Sequence, residues 1–256
     1  MTEVKTSVFR RRRYGQHFLK DRKIIQRMID LSNVGPHDTV YEIGTGTGNL
    51  TERLCARARF VISSEIDASL FKKVKVKLSG LHNLRLENID GFGRDVRFEF
   101  LVASLPYSAS RRFIEWLACL TFTRAIVLMQ QEFAEKILST PKTSDYSAVS
   151  VIAQSCLHMR TEESVSRSAF TPPPQVDSVI LALEPRNPAT PELIRMINKF
   201  FSFKRKLASS MLATLERQHN IDLSVSIHLI HQQRVTDLSP DELFGLAATV
   251  YNKIKA

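Results

Sequence analysis

Two stretches of this 256-residue chain have residue types and spacing that could do chemistry together. They are Ser104-Leu105-Pro106-Tyr107 and, about sixty residues earlier, Glu42-Ile43-Gly44-Thr45-Gly46-Thr47-Gly48. An exocyclic amine on a nucleobase is a poor nucleophile, because its lone pair is conjugated into the ring. The Ser104 hydroxyl and the Leu105 carbonyl can accept its two N–H bonds and tilt it toward sp³. Tyr107 can stack on the base, and Pro106 fixes φ so that the chain presents these groups together. The glycines let the backbone turn tightly and approach a ligand. Their spacing is GxGxG rather than the GxGxxG of dinucleotide folds, so nothing in the loop calls for a pyrophosphate. Together the two stretches imply an adenosine-containing cofactor and a methyl group moved onto an aromatic amine. Alone, the tetrapeptide reads as a strand-ending turn and the loop as a ligand-free β–α connection.

Three acids extend the pattern. Glu42 stands at the end of a strand, placed to meet a charged amino-acid portion. Glu65 ends the next strand, 17 residues past Gly48, where a carboxylate can accept both ribose hydroxyls. Asp90, in Asn88-Ile89-Asp90, ends the third, where it can accept an adenine amino group. Each alone is an ordinary acid. After a GxGxG on the first strand they describe a pocket for S-adenosylmethionine at the C-terminal edge of a sheet. Tyr14-Gly15-Gln16-His17-Phe18-Leu19 leads into a helix beginning near Asp21, with Phe18 and Leu19 as apolar anchors. No arrangement of His, Asp and Ser indicates a hydrolase, and no His/carboxylate spacing indicates a metal site.

The elements that must position these residues follow from hydrophobic patterning. Thr39–Ile43, Phe60–Ile66, Leu84–Ile89, Phe98–Ser104 and Arg124–Gln130 read as buried parallel strands, with helical segments such as Leu50–Ala58 and Arg111–Leu120 between them. This βαβ alternation implies an α/β, doubly wound sheet. Met159–Val165 and Asp177–Leu183 add two strands, separated by Phe170-Thr171-Pro172-Pro173-Pro174, giving seven strands with a hairpin at one edge. Pro185-Arg186-Asn187-Pro188 breaks the pattern. Beyond it only helices are predicted: Pro191–Phe201, Lys204–Gln218, and a last one with Ser239 as N-cap, Pro240 at the first helical position and Glu242 three residues after the cap. The expected division is residues 1–187, a catalytic domain with a basic N-terminal segment, and residues 188–256, a small helical domain.

Composition bounds the partners. Hydrophobic residues make up 43% of the chain, enough for one sizeable core and a small second domain. No run approaches the ~18 apolar residues of a membrane span, and the polar, basic N-terminus lacks the apolar core of a signal peptide. The three cysteines are far apart and form no CxxC, so a reducing cytoplasm is expected and a zinc or disulfide framework is not. Net charge is +10, and residues 1–30 hold nine Lys/Arg against three acids, including Arg10-Arg11-Arg12-Arg13. Beside an enzyme-like core this block points to nucleic-acid phosphates; a solvated tail or a membrane surface is the alternative.

The motifs resemble those of the small-subunit ribosomal RNA adenine dimethyltransferases, a family related to the erythromycin-resistance methylases and the mitochondrial transcription factor B proteins. Gly15 to Leu19 resembles the family's GQNFL, and Glu42 to Glu52 resembles its EIGxGxGxLTE. Glu65-Ile66-Asp67 matches EID, Ser104 to Tyr107 corresponds to NLPY, and Gln130-Gln131-Glu132 to QKE. Phe170 to Ser178 is similar to FxPxPKVDS, and Phe203-Lys204-Arg205-Lys206 to F-x-RRK. His17 and Ser104 depart from the pattern, each standing where the family usually has Asn.

The resemblance implies a Rossmann-like methyltransferase fold and a cofactor, S-adenosylmethionine. Gln16, His17, Leu19 and Ile66 would line its site together with Glu42, Gly46 and Gly48. Gly44 would contact the methionine part, Glu65 the ribose and Asp90 the adenine. Ser104 and the Leu105 carbonyl would hold the target amine, Tyr107 would stack on the base, and Phe170 would close its other face. Arg10, Arg11, Arg12, Arg13, Lys204, Arg205 and Lys206 would hold RNA phosphates, making residues 188–256 an rRNA-binding domain. The implied reaction places two methyls on each of two adjacent adenosines near the 3′ end of small-subunit rRNA. Transfer would be direct and in line, onto an adenine that is single-stranded or flipped out. A cytoplasmic monomer acting on rRNA or on an assembling small subunit, with no membrane partner, is expected. Two rivals remain: an RNA-binding assembly factor on a methyltransferase scaffold whose catalysis Ser104 has weakened, and an adenine methyltransferase of another nucleic acid. A nicotinamide dehydrogenase fails on loop spacing.

Overall fold

The computed structural model describes residues 16–92, 96–224, 226, 230 and 232–255. The chain enters through a two-residue strand β1 (Phe18–Leu19) and helix α1 (Arg22–Ser32). The Asp21 side chain caps α1, accepting from the backbone N–H groups of Lys23 at 2.8 Å and Ile24 at 3.3 Å. That satisfies two of the donors a helix start leaves open. Then follow β2 (Thr39–Ile43), α2 (Asn49–Cys55), β3 (Phe60–Ser64), α3 (Ala68–Lys77), β4 (Leu84–Glu87), β5 (Phe100–Ser104), α4 (Ser110–Leu117), β6 (Arg124–Gln130) and α5 (Gln131–Ile137). The remainder comprises α6 (Ala148–Cys156), β7 (Leu157–Val165), β8 (Phe170–Thr171), β9 (Ser178–Pro185), α7 (Pro191–Phe201), α8 (Ala208–His219) and α9 (Pro240–Lys255).

Seven strands form one sheet in the order β4-β3-β2-β5-β6-β9-β7. The first five are mutually parallel and β9 runs antiparallel to β6. This is the expected α/β doubly wound architecture. The strands need apolar residues on both faces, and β2, as Thr-Val-Tyr-Glu-Ile, and β6, as Arg-Ala-Ile-Val-Leu-Met-Gln, supply them. Helix α1 packs on β5 and β6, burying Ile25, Met28 and Ile29 against Val40, Val102, Ile126 and Ile180. Each such side chain contributes about 1.5–3 kcal/mol by leaving water.

Strand order reverses between β2 and β5: after β2 the chain winds outward through β3 and β4, then returns to β5 on the other side. Ligands of open parallel sheets bind in the crevice beyond the strand ends at such a switch point. Register brings the candidate residues there. Ile43 pairs with Ala103 and with Ser64, so the residues that follow, Gly44, Ser104 and Glu65, emerge side by side.

The described residues form two compact units. One runs to Phe113 and includes Phe122–Ala134 and Met159–Glu184; the other comprises Ile114–Thr121, Glu135–His158 and the residues from Pro185 on. The helices after Pro185 thus share their unit with α6, on which α7 and α9 pack.

Several elements differ from the sequence reading. The strand predicted over Phe60–Ile66 ends at Ser64, because Glu65 turns to bind the backbone of Gly46 and Asp67. The helix predicted over Lys204–Gln218 starts at Ala208: Leu207 is extended and bridges Arg234, which leaves Lys204–Lys206 in a turn. The pairing of β1 with β8, Phe18 with Thr171 and Leu19 with Phe170, was not predicted. The last helix begins as expected, with Ser239 Oγ accepting from the Glu242 N–H and the Glu242 carboxylate accepting from the Ser239 N–H.

Candidate functional site

Gly44, Gly46 and Gly48 adopt φ of 85°, 57° and 81°, a left-handed backbone that a side chain would strain. The loop is tied to the end of β3. The N–H groups of Gly44 and Thr45 donate to the Ser64 carbonyl at 2.9 and 3.1 Å, and that of Gly46 donates to Glu65 Oε2 at 2.9 Å. Glu65 Oε1 accepts from the Asp67 N–H at 2.9 Å. Each carboxylate oxygen therefore holds a backbone donor. Glu65 is buried, and that burial raises its pKa above the ordinary carboxylate value against the lowering pull of its backbone donors.

Gln16, His17, Gly44, Gly46, Glu65, Ile66, Asp90, Ser104 and Pro106 line one cavity of about 200 Å³. All but Pro106 stand in the predicted cofactor set, and Pro106 and Ser104 come from the predicted target-amine motif. Ile66, 48% exposed, lines this cavity and offers an aliphatic surface suited to the face of a flat ring. Leu19 and Glu42 line an adjoining recess of about 50 Å³ that shares His17, Gly44, Gly46 and Ser104 with the first cavity.

Glu42 is the most unusual group here. It is wholly buried beneath the glycine loop. Its Oε2 accepts from Thr51 Oγ1 at 2.7 Å and Ser63 Oγ at 2.5 Å, while Oε1 has no partner among the described residues. Burial is the largest cause of its raised pKa, from 4.5 to about 8; the two hydroxyl donors oppose the shift and the Glu65 charge adds to it.

The Ser104–Tyr107 segment leaves the end of β5. The Leu105 N–H donates to the Leu128 carbonyl at 3.2 Å, and Pro106 adopts φ −58°. Tyr107 packs against His17 with ring centroids 5.7 Å apart and shares a hydrogen bond of 2.7 Å with Ser178 Oγ. His17 Nδ1 lies 2.8 Å from the Pro172 carbonyl. A carbonyl only accepts, so Nδ1 carries a proton and donates.

Other predicted residues lie elsewhere. A methyl group at Gly48 would stand 2.9 Å from Val74 Cγ2, so this glycine faces the core and serves the turn. Phe170 is 2% exposed and belongs to the core with Leu19. Leu105 is buried, and Tyr107 flanks the cavity rather than lining it. In the second unit, Lys204 and Arg205 join Lys142 and Arg234 around a shallow cavity of about 320 Å³. Lys206 lies over the Phe203 ring, 5.5 Å from its centroid. Arg10, Arg11, Arg12 and Arg13 lie outside the described residues.

Sequence reasoning missed Arg112, Phe92, Gly91, Lys142 and Arg234. Arg112 lines the main cavity, and its Nη1 donates to Asp90 Oδ2 at 2.6 Å. No local pattern singles it out, since it sits on a helix eight residues beyond Ser104. Gly91 had a weak signal, a glycine directly after the third-strand acid. A methyl there would meet Ser64 Oγ at 2.5 Å and Ile43 Cγ2 at 2.9 Å, so only glycine lets the Asp90 loop press onto the sheet end.

The buried thiols of Cys55 and Cys156, neither of which lines the cavity, have pKa values pushed up to about 12, chiefly by burial. The site can cradle a ligand on glycine backbone, receive two hydroxyls at Glu65 and an amino group at Asp90, and face an amine with Ser104. That donor set fits S-adenosylmethionine: its ribose, adenine and amino-acid parts each have a matching group.

Comparison with known proteins gives the same picture. The family model described as ribosomal RNA adenine dimethylase matches residues 9–251. The chain is 35% identical to the ribosomal RNA small subunit methyltransferase A of Thermotoga neapolitana over 237 residues, 91% of this chain and 88% of that one. It is 37% identical to a probable dimethyladenosine transferase of Caenorhabditis elegans over 187 residues, 69% and 59% of the two chains. Among solved structures it resembles a dimethyladenosine transferase from Plasmodium falciparum, with TM-score 0.79, 28% identity and coverage of 93% and 98%. It also resembles the 23S rRNA methyltransferase ErmE, with TM-score 0.59, 27% identity and coverage of 93% and 100%.

Proposed function

This chain belongs to the ribosomal RNA adenine dimethylase family, and from that premise we propose how its residues carry out the family's reaction, the S-adenosylmethionine-dependent dimethylation of adenosines in small-subunit rRNA. The observation that carries the reading is the convergence of Gly44, Glu65, Asp90 and Ser104 on one cavity at the switch point of the sheet.

S-adenosylmethionine, when bound, supplies a methyl group already made electrophilic by its sulfonium. Glu65 would receive the ribose hydroxyls, Asp90 the adenine amino group, and the Gly44 backbone the methionine part, with Gln16, His17 and Ile66 closing the sides. Ser104 Oγ and the Leu105 carbonyl accept the N–H bonds of the target amine and raise the availability of its lone pair. Tyr107, held by Ser178 and His17, stacks on the target base. Catalysis consists of holding amine and methyl in line; the amine becomes acidic only as it is alkylated, and water takes its proton. The target adenine leaves its stack to reach Ser104. Lys204 and Arg205, with Lys142 and Arg234 beside them, hold RNA phosphates.

The reading extends to the two adjacent adenosines near the 3′ end of the rRNA, to the assembling small subunit as the substrate particle, and to a cytoplasmic monomer. No described helix is long and apolar enough to cross a membrane. The test separates binding from transfer. Glu65→Ala should abolish retention of labelled S-adenosylmethionine, whereas Ser104→Ala should retain it and lose transfer to small-subunit rRNA. Retention by Glu65→Ala, or undiminished transfer by Ser104→Ala, overturns the assigned role.

A further inference from the structure

Arg112 stands where the two halves of the site meet. It lies on α4, directly after the Ser104–Tyr107 segment, yet its guanidinium reaches across to the loop that follows β4. Its Nη1 donates to Asp90 Oδ2 at 2.6 Å, and its guanidinium carbon lies 4.9 Å from the centroid of the Phe92 ring. All three residues line the main cavity. The second Asp90 oxygen, Oδ1, accepts the Phe92 N–H at 3.1 Å.

The loop carrying Asp90 is pinned from other sides as well. The Tyr41 hydroxyl donates to the Gly91 carbonyl at 2.9 Å in the core, and Gly91 sits against Ile43 and Ser64 with no room for a methyl. These contacts fix the backbone at Gly91. They do not themselves hold the Asp90 carboxylate, whose side chain is 36% exposed. The Phe92 N–H holds one of its oxygens, and Arg112 holds the other. A guanidinium presents a rigid planar fork, and stacking on Phe92 sets the plane of that fork before any ligand arrives.

We propose that Arg112 is a positioning residue for cofactor recognition: it holds the Asp90 carboxylate in the rotamer that accepts the adenine amino group of S-adenosylmethionine. The inference rests on the reading of this cavity as the cofactor site. An exposed ion pair by itself contributes little to stability, so the contact has small value to the fold. Its value lies in preorganisation, since a carboxylate already aimed loses no side-chain freedom on binding. With Oδ2 holding Arg112 and Oδ1 holding the Phe92 N–H, each oxygen keeps a lone pair, and the two bonds together decide which of them faces the cavity. The same link joins the adenine end of the cofactor pocket to the helix that follows the target-amine motif.

The test is a double-mutant cycle on the full chain, read by calorimetric titration with S-adenosylhomocysteine, so that no turnover is involved. Arg112→Ala should weaken binding about three- to tenfold when Asp90 is present, and less than about twofold in an Asp90→Asn background. Arg112→Gln, which keeps planar N–H donors, should recover part of the loss. An equal loss in both backgrounds would mean that Arg112 acts on the ligand or the fold directly and would overturn the proposal. Unchanged binding would reduce the pair to a surface contact, and tighter binding would make Arg112 an obstruction; either overturns it. If the unsubstituted protein fails to bind S-adenosylhomocysteine, the cofactor reading itself falls, an outcome distinct from all of these.

Discussion

Replacing Glu42 by glutamine should change the pH dependence of folding in a way that isolates one buried acid. In the folded chain the carboxyl is fully buried, two hydroxyls bind one of its oxygens, the other has no partner among the described residues, and its pKa is raised from 4.5 to about 8. Below pH 4.5 the group is protonated in folded and unfolded chains alike and has no effect on the balance. Between 4.5 and about 8 the unfolded chain has released the proton and the folded chain retains it, so stability falls as pH rises, by about 1.4 kcal/mol per pH unit. Across the whole window the loss from this group amounts to at most about 5 kcal/mol. Glutamine does not titrate. Its carbonyl can take over the bonds from Ser63 and Thr51, while its amide nitrogen occupies the unpartnered position at a constant cost of about 1–3 kcal/mol. The variant is therefore less stable than the parent near pH 5 and gains on it steadily toward pH 8. Urea unfolding at pH 5.5, 6.5 and 7.5 measures the difference between the two proteins, which should shift by about 1.4 kcal/mol per unit. Taking the difference also removes most of the contribution of Glu65, whose raised pKa acts in the same direction. A stability difference that stays constant with pH would refute the argument that Glu42 folds with its proton.

Further outcomes follow from the same geometry. Ser104→Ala should lower kcat about 10- to 100-fold while the KM for S-adenosylmethionine stays within about twofold, as steady-state kinetics would show; equal turnover in both proteins removes Ser104 from the amine site. Gly91→Ala forces a methyl against Ser64 and Ile43, and should cost about 1–3 kcal/mol in thermal unfolding and reduce the stabilisation that S-adenosylhomocysteine confers. Tyr107→Phe keeps the ring and loses only the bond to Ser178, so its turnover should stay within about threefold of the parent, whereas Tyr107→Ala should lose most of it. Lys204→Ala combined with Arg205→Ala should weaken rRNA binding and flatten the log–log salt dependence by about one unit for each phosphate these side chains neutralise.

Strands β2 and β6 were legible to the residue, because each is an apolar run bounded by turn or charge signals and both faces are buried. Once those strands and their neighbours are placed, parallel register alone brings Gly44, Glu65 and Ser104 together, which is why much of the pocket lining could be named from sequence. Depth could not. Glu42 and Gly48 belong to the glycine motif, but alternation along the strand does not say that one points beneath the loop and the other against Val74. Phe170 read as an aromatic available to a substrate; its pairing with Leu19 across some 150 residues, which buries it, leaves no local trace in either two-residue strand. The start of α8 moved from Lys204 to Ala208 because a single backbone bridge from Leu207 to Arg234 outweighs helix propensity, and such a bridge is invisible to periodicity. Arg112 escaped notice because its importance is wholly tertiary: it matters through Asp90 and Phe92, which lie on another loop.

The central claim is that this chain transfers methyl groups from S-adenosylmethionine to adenine N6 of small-subunit rRNA with Ser104 in the amine-binding position. The most direct measurement supplies undermethylated small ribosomal subunits and tritium-labelled S-adenosylmethionine, followed by nucleoside analysis of the rRNA. The account predicts labelled N6,N6-dimethyladenosine at adjacent adenosines near the 3′ end, with the monomethyl form appearing only in transit. Absence of label from a protein that binds the cofactor would contradict it and leave an RNA-binding assembly factor on a methyltransferase scaffold.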